Sequence, residues 1–269
     1  MPDNLPNLFP EDLASTARAL FGSPLATVLR PLFTISPQAD HPEVETPELA
    51  LLSPAELDLC RDYRLAKRRN EHGSGRICAY LAVADYLAQR DPMASATGEI
   101  EIIRGPDGRP TLSGSPVTCP PLPQISIAHS HGYAAAMAAE RPCGIDLQQQ
   151  NETLLRVRDR FTIPQEEQLL GEVLTEGDHI AILALLWSAK EAVQKTLSHW
   201  RRMPGFLDLM ISNAEPAGGD SIALTVTNRR AMVDHSPEQL RVLAGRFGEY
   251  GLALCISDEV DQHAGTSRS

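Results

Sequence analysis

Three short stretches of this sequence carry residue types that do chemistry. In CGIDLQQQNE (143–152) a single acid, Asp146, follows an apolar Gly-Ile pair, and Gln148 stands two residues on. A carboxylate at the end of a short buried strand needs a partner, so two readings stand: Asp146 caps a following turn, or it ligates a hard metal ion. Mg²⁺ takes one or two carboxylates and leaves its other positions to substrate phosphates and water. In LLWSAKEAVQKTL (185–197), Glu191 and Lys195 are four residues apart and share a helix face, with Lys190 one step round. An exposed Glu–Lys pair is the ordinary reading of such spacing. Here the surrounding Ile182, Leu183, Leu185, Leu186, Trp187, Ala192 and Val193 bury the helix, which favours a Glu flanked by lysines facing a cleft that holds Mg²⁺ and phosphate. In IAHSHG (127–132), His129 and His131 fall on one side of a strand. With no third nitrogen or sulfur ligand in view, zinc is disfavoured, and His129 reads as a hydrogen-bonded strand-end histidine or a donor to phosphate beside Arg69, Arg76 and Lys190.

The elements that must position these residues form a plan used twice. A short helix is expected over 11–21, a strand over 26–35, and a loop over 36–48. LLSPAEL (51–57) has the Ser-Pro-x-Glu form of a helix start. A long helix over 69–90 carries Ile77, Leu81, Ala84 and Leu87 on one apolar side, followed by a strand at 98–104, a turn at 105–110 and a Pro-rich loop at 113–123. Two short strands then meet at His-Ser-His-Gly, and CGIDLQ is a further strand. FTIPQEEQLL (161–170) echoes the earlier Pro-x-Glu start, the helix at 179–197 echoes the one at 69–90, and strands follow at 207–212, 221–227, 240–248 and 251–257. The expected fold class is α+β: two similar α+β lobes with pseudo-two-fold symmetry and the active site at the lobe interface. The expected domains are 1–143, with an N-terminal arm at 1–22, and 144–269, with a flexible tail from about 258.

Composition bounds the function. The chain has 269 residues, 42% hydrophobic and 22% charged, enough apolar material for a full core. A formal charge of −11 argues against a nucleic-acid partner, although RLAKRRN (64–70), Arg201-Arg202 and Arg229-Arg230 are local basic patches suited to a small anion. Five scattered cysteines without a C-x-x-C pair point to a reducing cytosol, and no apolar run is long enough to span a bilayer. The start MPDNLPNLFPEDL lacks a basic, then apolar, signal. A cytoplasmic location without membrane contact is expected.

In order, the chain reads R-R-x-E-H-x-x-G-R (68–76), G-R-P (108–110), H-S (129–130), G-I-D (144–146) and W-S-x-K-E-A-x-x-K (187–195). Together these motifs resemble the 4′-phosphopantetheinyl transferase superfamily, in its larger two-lobed Sfp-like type, from about Leu52 to Leu209. The resemblance implies a holo-[acyl-carrier-protein] synthase type of enzyme. Such an enzyme moves 4′-phosphopantetheine from coenzyme A to a serine of an acyl or peptidyl carrier protein, with Mg²⁺, and releases 3′,5′-ADP. Carriers of this kind serve fatty acid, polyketide or nonribosomal peptide assembly. By the same resemblance Asp146 and Glu191 are metal ligands, and Gln148 is expected in the metal shell; the serine proton must go somewhere, and Glu191, directly or through a metal-bound water, is the expected general base. Lys190 and Lys195 hold the pyrophosphate, and His129 contacts a nucleotide phosphate. Arg69 and Arg76 approach the 3′-phosphate, and Arg109 and Pro110 flank the adenine. Two positions depart from the family pattern: Gln148 replaces a frequent acid, and Ala128 a frequent serine. The alternative function is a catalytically lapsed protein that binds coenzyme A or a carrier. With both halves of the site expected in one chain, a monomer is the expected state.

Overall fold

The computed structural model describes residues 6–36, 47–91, 100–105, 108–114, 122–174, 178–200 and 203–258. Through residue 139 the elements are α1 (Glu11–Phe21), β1 (Leu25–Pro31), α2 (Pro54–Asp62), α3 (Ala66–Arg90), β2 (Glu101–Arg104), β3 (Pro110–Ser113), β4 (Gln124–Ser130) and β5 (Tyr133–Ala139). Then come β6 (Cys143–Gln149), α4 (Thr153–Val157), α5 (Pro164–Val173), α6 (His179–Leu197), β7 (Leu209–Gly218), β8 (Ser221–Asn228), α7 (Ala231–Asp234), β9 (Gln239–Phe247) and β10 (Tyr250–Ile256). The fold class is α+β, as the sequence implies.

The chain divides into two units, Met1–Phe9 with Pro24–Ala138, and Pro10–Ser23 with Ala139–Ser269. The sequence reading divides the chain after residue 143 and attaches all of residues 1–22 to the first lobe. Helix α1 instead belongs with the second unit, for a packing reason. Its apolar face, Leu13, Ala14, Ala17 and Phe21, is buried, and it lies against β7 and β9. Gly22 closes it in the left-handed region at φ 56°, and Arg141 holds its last carbonyl, Phe21 O, at 2.8 Å.

In the first unit α3 packs on a three-stranded sheet of order β1-β5-β4, around a core that includes Ile77, Val83, Tyr86 and Leu87. Strands β4 and β5 turn at His131–Gly132, both with positive φ. Strand β3, which the sequence reading leaves unassigned between the turn at 105–110 and the loop at 113–123, pairs antiparallel with β2. Helix α2 opens with a full capping box: Ser53 Oγ accepts from Glu56 N, and Glu56 accepts from Ser53 N at 2.8 Å.

The second unit is built on a five-stranded antiparallel sheet, β6-β10-β9-β8-β7, with α6 lying across β6, β10 and β9. Asp178 caps α6 by accepting from Ala181 N at 2.9 Å. Two glycines allow the helix to lie this close. A Cβ at Gly144 of β6 would sit 1.9 Å from Ala192 O, and one at Gly251 of β10 would meet Ala184 O at 2.7 Å. Gly144 therefore faces α6, and strand alternation puts Asp146 and Gln148 on that same face. The tail expected to be flexible from about residue 258 falls, beyond Asp258, outside the described residues, as do Arg201-Arg202.

Candidate active site

The close approach of α6 to β6 assembles three of the expected residues. Lys195 Nζ lies 2.8 Å from Asp146 Oδ1 and 2.9 Å from Ile145 O. Glu191, one helical turn before Lys195, is half-buried. Burial pushes its carboxyl above the ordinary range, the Asp146 carboxylate raises it further, and Lys195 opposes both. The Lys195 ammonium is partly exposed and has three N–H donors, two of which are engaged by Asp146 and Ile145. The Glu191–Lys195 spacing, read in the sequence as a pair on one face, thus works through a third group on the neighbouring strand.

Gln148 lies on the same strand face, and its Nε2 donates to Gln149 O at 2.8 Å. Among the described residues no group of three or more His, Cys, Asp or Glu is gathered to hold a metal. Asp146 and Glu191 form a two-carboxylate donor pair. It suits Mg²⁺, which needs one or two carboxylates and takes its remaining oxygens from substrate and water. The mutual repulsion of Asp146 and Glu191 is the local feature that a divalent cation would relieve.

Lys190 is corrected by the structure. Its side chain is 0% exposed, and its ammonium donates to Phe161 O at 2.8 Å, to Glu166 at 2.8 Å and to Phe206 O at 3.3 Å. All three donors are engaged, so none is left for a pyrophosphate. Glu166 in turn accepts from Thr162 Oγ1, Ile163 N and Ile211 N. Burial pushes the Lys190 ammonium down and Glu166 opposes the shift. This is a buried staple that ties the start of α5 to the middle of α6.

In the first unit a pocket of about 500 Å³ is lined by Leu59 and Tyr63, by Glu71, His72 and Arg76 of α3, by residues of the β2–β3 hairpin including Pro110, and by Ile127 and His129 of β4. Its walls combine apolar and ring surface with the charged groups of Glu71, Arg76 and Arg104. Arg76 Nη1 donates to Glu56 and to Ile102 O, the latter at 2.6 Å, and its Nε donates to His72 Nε2 at 3.1 Å. His72 is pushed down to about 4, by burial first and by Arg76 next, so it is the neutral acceptor of that bond near pH 7. His129 is exposed, with Nδ1 3.8 Å from Glu71 Oε1. Arg109 is half-buried just ahead of β3.

Arg69 is the second correction. It is buried, its Nε donates to Ile35 O at 2.7 Å and its Nη1 to Tyr63 O at 2.9 Å, and it is not among the pocket's walls. It anchors the strand-side loop to α3. Sequence reading missed Glu166, Glu56 and His72 as parts of these networks. The recurring Pro-x-Glu start was the available signal for the two glutamates, since each acid that folds back on its helix start also meets a cation on the long helix.

Two acids and an ammonium thus come together where α6 packs on β6. Residues 142–255 match the model of the 4′-phosphopantetheinyl transferase superfamily. The match runs from the residue before β6 almost to the end of β10 and includes Asp146, Gln148, Glu166, Lys190, Glu191 and Lys195; Arg69, Arg76, Arg109, Pro110 and His129 lie outside it. Among curated proteins none matches the chain. No helix of the described residues is long and apolar enough to cross a membrane.

Proposed function

We propose that the chain transfers 4′-phosphopantetheine from coenzyme A to a serine hydroxyl of an acyl or peptidyl carrier protein and releases 3′,5′-ADP. The observation that carries this reading is the Asp146–Lys195 contact beside a Glu191 of raised proton affinity, inside the segment that matches the family. Glu191 and Asp146 would hold Mg²⁺, with Gln148 beside them; when bound, the ion supplies positive charge to the pyrophosphate of the donor.

The serine Oγ attacks the phosphorus that carries the pantetheine arm. An O–P bond forms, the P–O bond of the pyrophosphate bridge breaks, and 3′,5′-ADP departs with the electron pair. The serine proton passes to a Glu191 carboxylate oxygen, and a carboxylate raised toward neutrality is a better base than an ordinary one. The third N–H of Lys195 donates to the departing phosphate oxygens as charge builds on them. Arg76, Arg109, Pro110 and His129 hold the nucleotide end of the donor. Its two phosphate groups call for local cations in a chain whose net charge is −11. Lys190 and Arg69 have no part in this scheme. We assign the protein to the cytoplasm, as a monomer.

The test is an apo carrier protein incubated with coenzyme A, Mg²⁺ and the enzyme, read by mass spectrometry. Gain of the phosphopantetheine mass is expected, and Glu191→Gln should reduce the rate by at least about a hundredfold, the usual scale for a lost general base. Coenzyme A binding without any mass gain on a panel of apo carriers would instead establish the non-catalytic alternative, in which Gln148 marks a lapsed metal site.

A further inference from the structure

The two units contain the same device with different outcomes. In each, the glutamate of a Pro-x-Glu helix start folds back on the first amides of its own helix and reaches a cation on the long helix: Glu56 to Arg76 in one, Glu166 to Lys190 in the other. Lys190 ends there, with every donor engaged and no exposure. Arg76 does not. Its Nη1 and Nε are engaged by Glu56, Ile102 O and His72, while its Nη2 makes no hydrogen bond among the described residues and the side chain lines the 500 Å³ pocket. A lysine in the same setting is a point charge that is consumed by its buried partner, whereas a guanidinium is a rigid fork that serves a buried acid and a ligand at once.

We propose that Glu56 is a positioning residue for donor binding: it fixes Arg76 by Nη1 so that Nη2 is aimed into the pocket at an anionic group of the ligand. This rests on the reading that the pocket takes the nucleotide end of coenzyme A. Glu56 is itself held from every side. Ser53 N donates to it at 2.8 Å and Tyr80 Oη reaches both carboxylate oxygens at 3.0 Å, so its position is not adjustable. Tyr80 Oη also accepts from Ile102 N at 3.1 Å, which fixes the strand whose carbonyl receives the same Arg76 nitrogen. Arg76 is therefore oriented before any ligand arrives, and preorganisation of that kind appears as affinity.

The experiment uses the full chain and coenzyme A, with dissociation constants from calorimetry and KM and kcat from carrier transfer. Glu56→Gln keeps the shape and most hydrogen bonds but removes the charge that holds Arg76; coenzyme A affinity should fall roughly tenfold while kcat stays within about twofold, a ground-state binding loss. Arg76→Lys copies the second unit's staple and should lose affinity with little change in melting temperature. If Glu56 acts through Arg76, the double variant binds no worse than Arg76→Lys alone. Additive losses, or a folded Glu56→Gln with unchanged affinity, overturn the proposal. Should Glu56→Gln fail to fold, Tyr80→Phe takes its place, and unchanged affinity there overturns the proposal equally. A wild-type chain that binds no coenzyme A sinks the functional reading itself, a result separate from a wild type that binds and a Glu56→Gln that binds as well.

Discussion

Lys190→Met separates a lysine that holds the fold from one that holds a ligand. The substitution nearly preserves side-chain length and removes an ammonium that is 0% exposed and bonded to Glu166 and to two main-chain carbonyls. Removing one partner of a buried pair leaves the other charge uncompensated, a loss of about 3–5 kcal/mol. Glu166 retains donors in Thr162 Oγ1, Ile163 N and Ile211 N, which moves the expected cost toward the lower end of that range. Phe161 O and Phe206 O lose a donor, which adds about 1 kcal/mol each by the usual worth of a hydrogen bond. The sum is about 5 kcal/mol, and for a chain of this size that lowers the melting temperature by roughly 10–20 °C. Glu166→Gln on top of Lys190→Met removes the stranded charge and should recover part of the loss. Thermal melts followed by circular dichroism measure the stability, and calorimetry at low temperature measures coenzyme A binding by the protein that remains folded. Affinity should stay within about twofold, because no atom of Lys190 is left to contact a ligand. A Lys190→Met protein as stable as wild type that binds coenzyme A tenfold more weakly would refute the reasoning.

Three further outcomes follow from the same geometry. Gly144→Ala puts a Cβ 1.9 Å from Ala192 O and 2.7 Å from Thr196 Oγ1, so strand and helix must part. Melting should register about 1–3 kcal/mol of overpacking, and carrier transfer should fall further than stability does, because Asp146 is carried away from Lys195. Glu191 has its proton affinity raised by burial and then by Asp146, so between its ordinary value of 4.5 and the raised one the folded chain keeps a proton that the unfolded chain gives up. Its contribution to stability therefore falls as pH climbs through that window, while transfer rises. Paired melts of wild type and Glu191→Gln should show the stability slope in the first and not in the second. Gln148→Glu adds a charge on the face of β6 that carries Asp146, and half-maximal transfer should need less Mg²⁺; an unchanged Mg²⁺ titration would take position 148 out of the metal shell.

Much of the scaffold was legible because local signals are strong. The bounds of α1 and α6 coincide with the stretches 11–21 and 179–197 read from pattern, and the capping box at Ser53 follows from Ser-Pro-x-Glu. The three residues at the contact of α6 and β6 were legible as types but not as a geometry. An i,i+4 pair announces a shared face and says nothing of the Asp146 that Lys195 meets 49 positions away. Lys190 was misread for the same reason. Its neighbours in sequence are the site, but its partner is Glu166 on another helix, and adjacent helix positions point about 100° apart. The attachment of α1 to the second unit was equally invisible, since an amphipathic helix specifies that a face will be covered and not by which sheet. Strand β3 escaped because four residues opening on a proline carry too little period to register.

The glycine of G-I-D shows how far such a motif can be taken physically. Read as a sequence, Gly144 only precedes an acid; in the fold a Cβ there would lie 1.9 Å from Ala192 O. Ala192 follows Glu191 directly and Thr196 follows Lys195, so the residues that press on Gly144 are the chain neighbours of the two that face Asp146. The absence of one side chain therefore sets the depth at which three others meet. The lack of a side chain at 144 is the requirement set by the Ala192 carbonyl, and the acid–lysine contact is its consequence. If that is right, a bulkier residue at 192 need not disturb the site, because it is the carbonyl of Ala192, not its side chain, that Gly144 accommodates. Ala192→Ser should therefore leave the Asp146–Lys195 contact and carrier transfer nearly intact where Gly144→Ala lowers transfer, and equal losses from the two would show that side-chain volume, not backbone approach, sets the site.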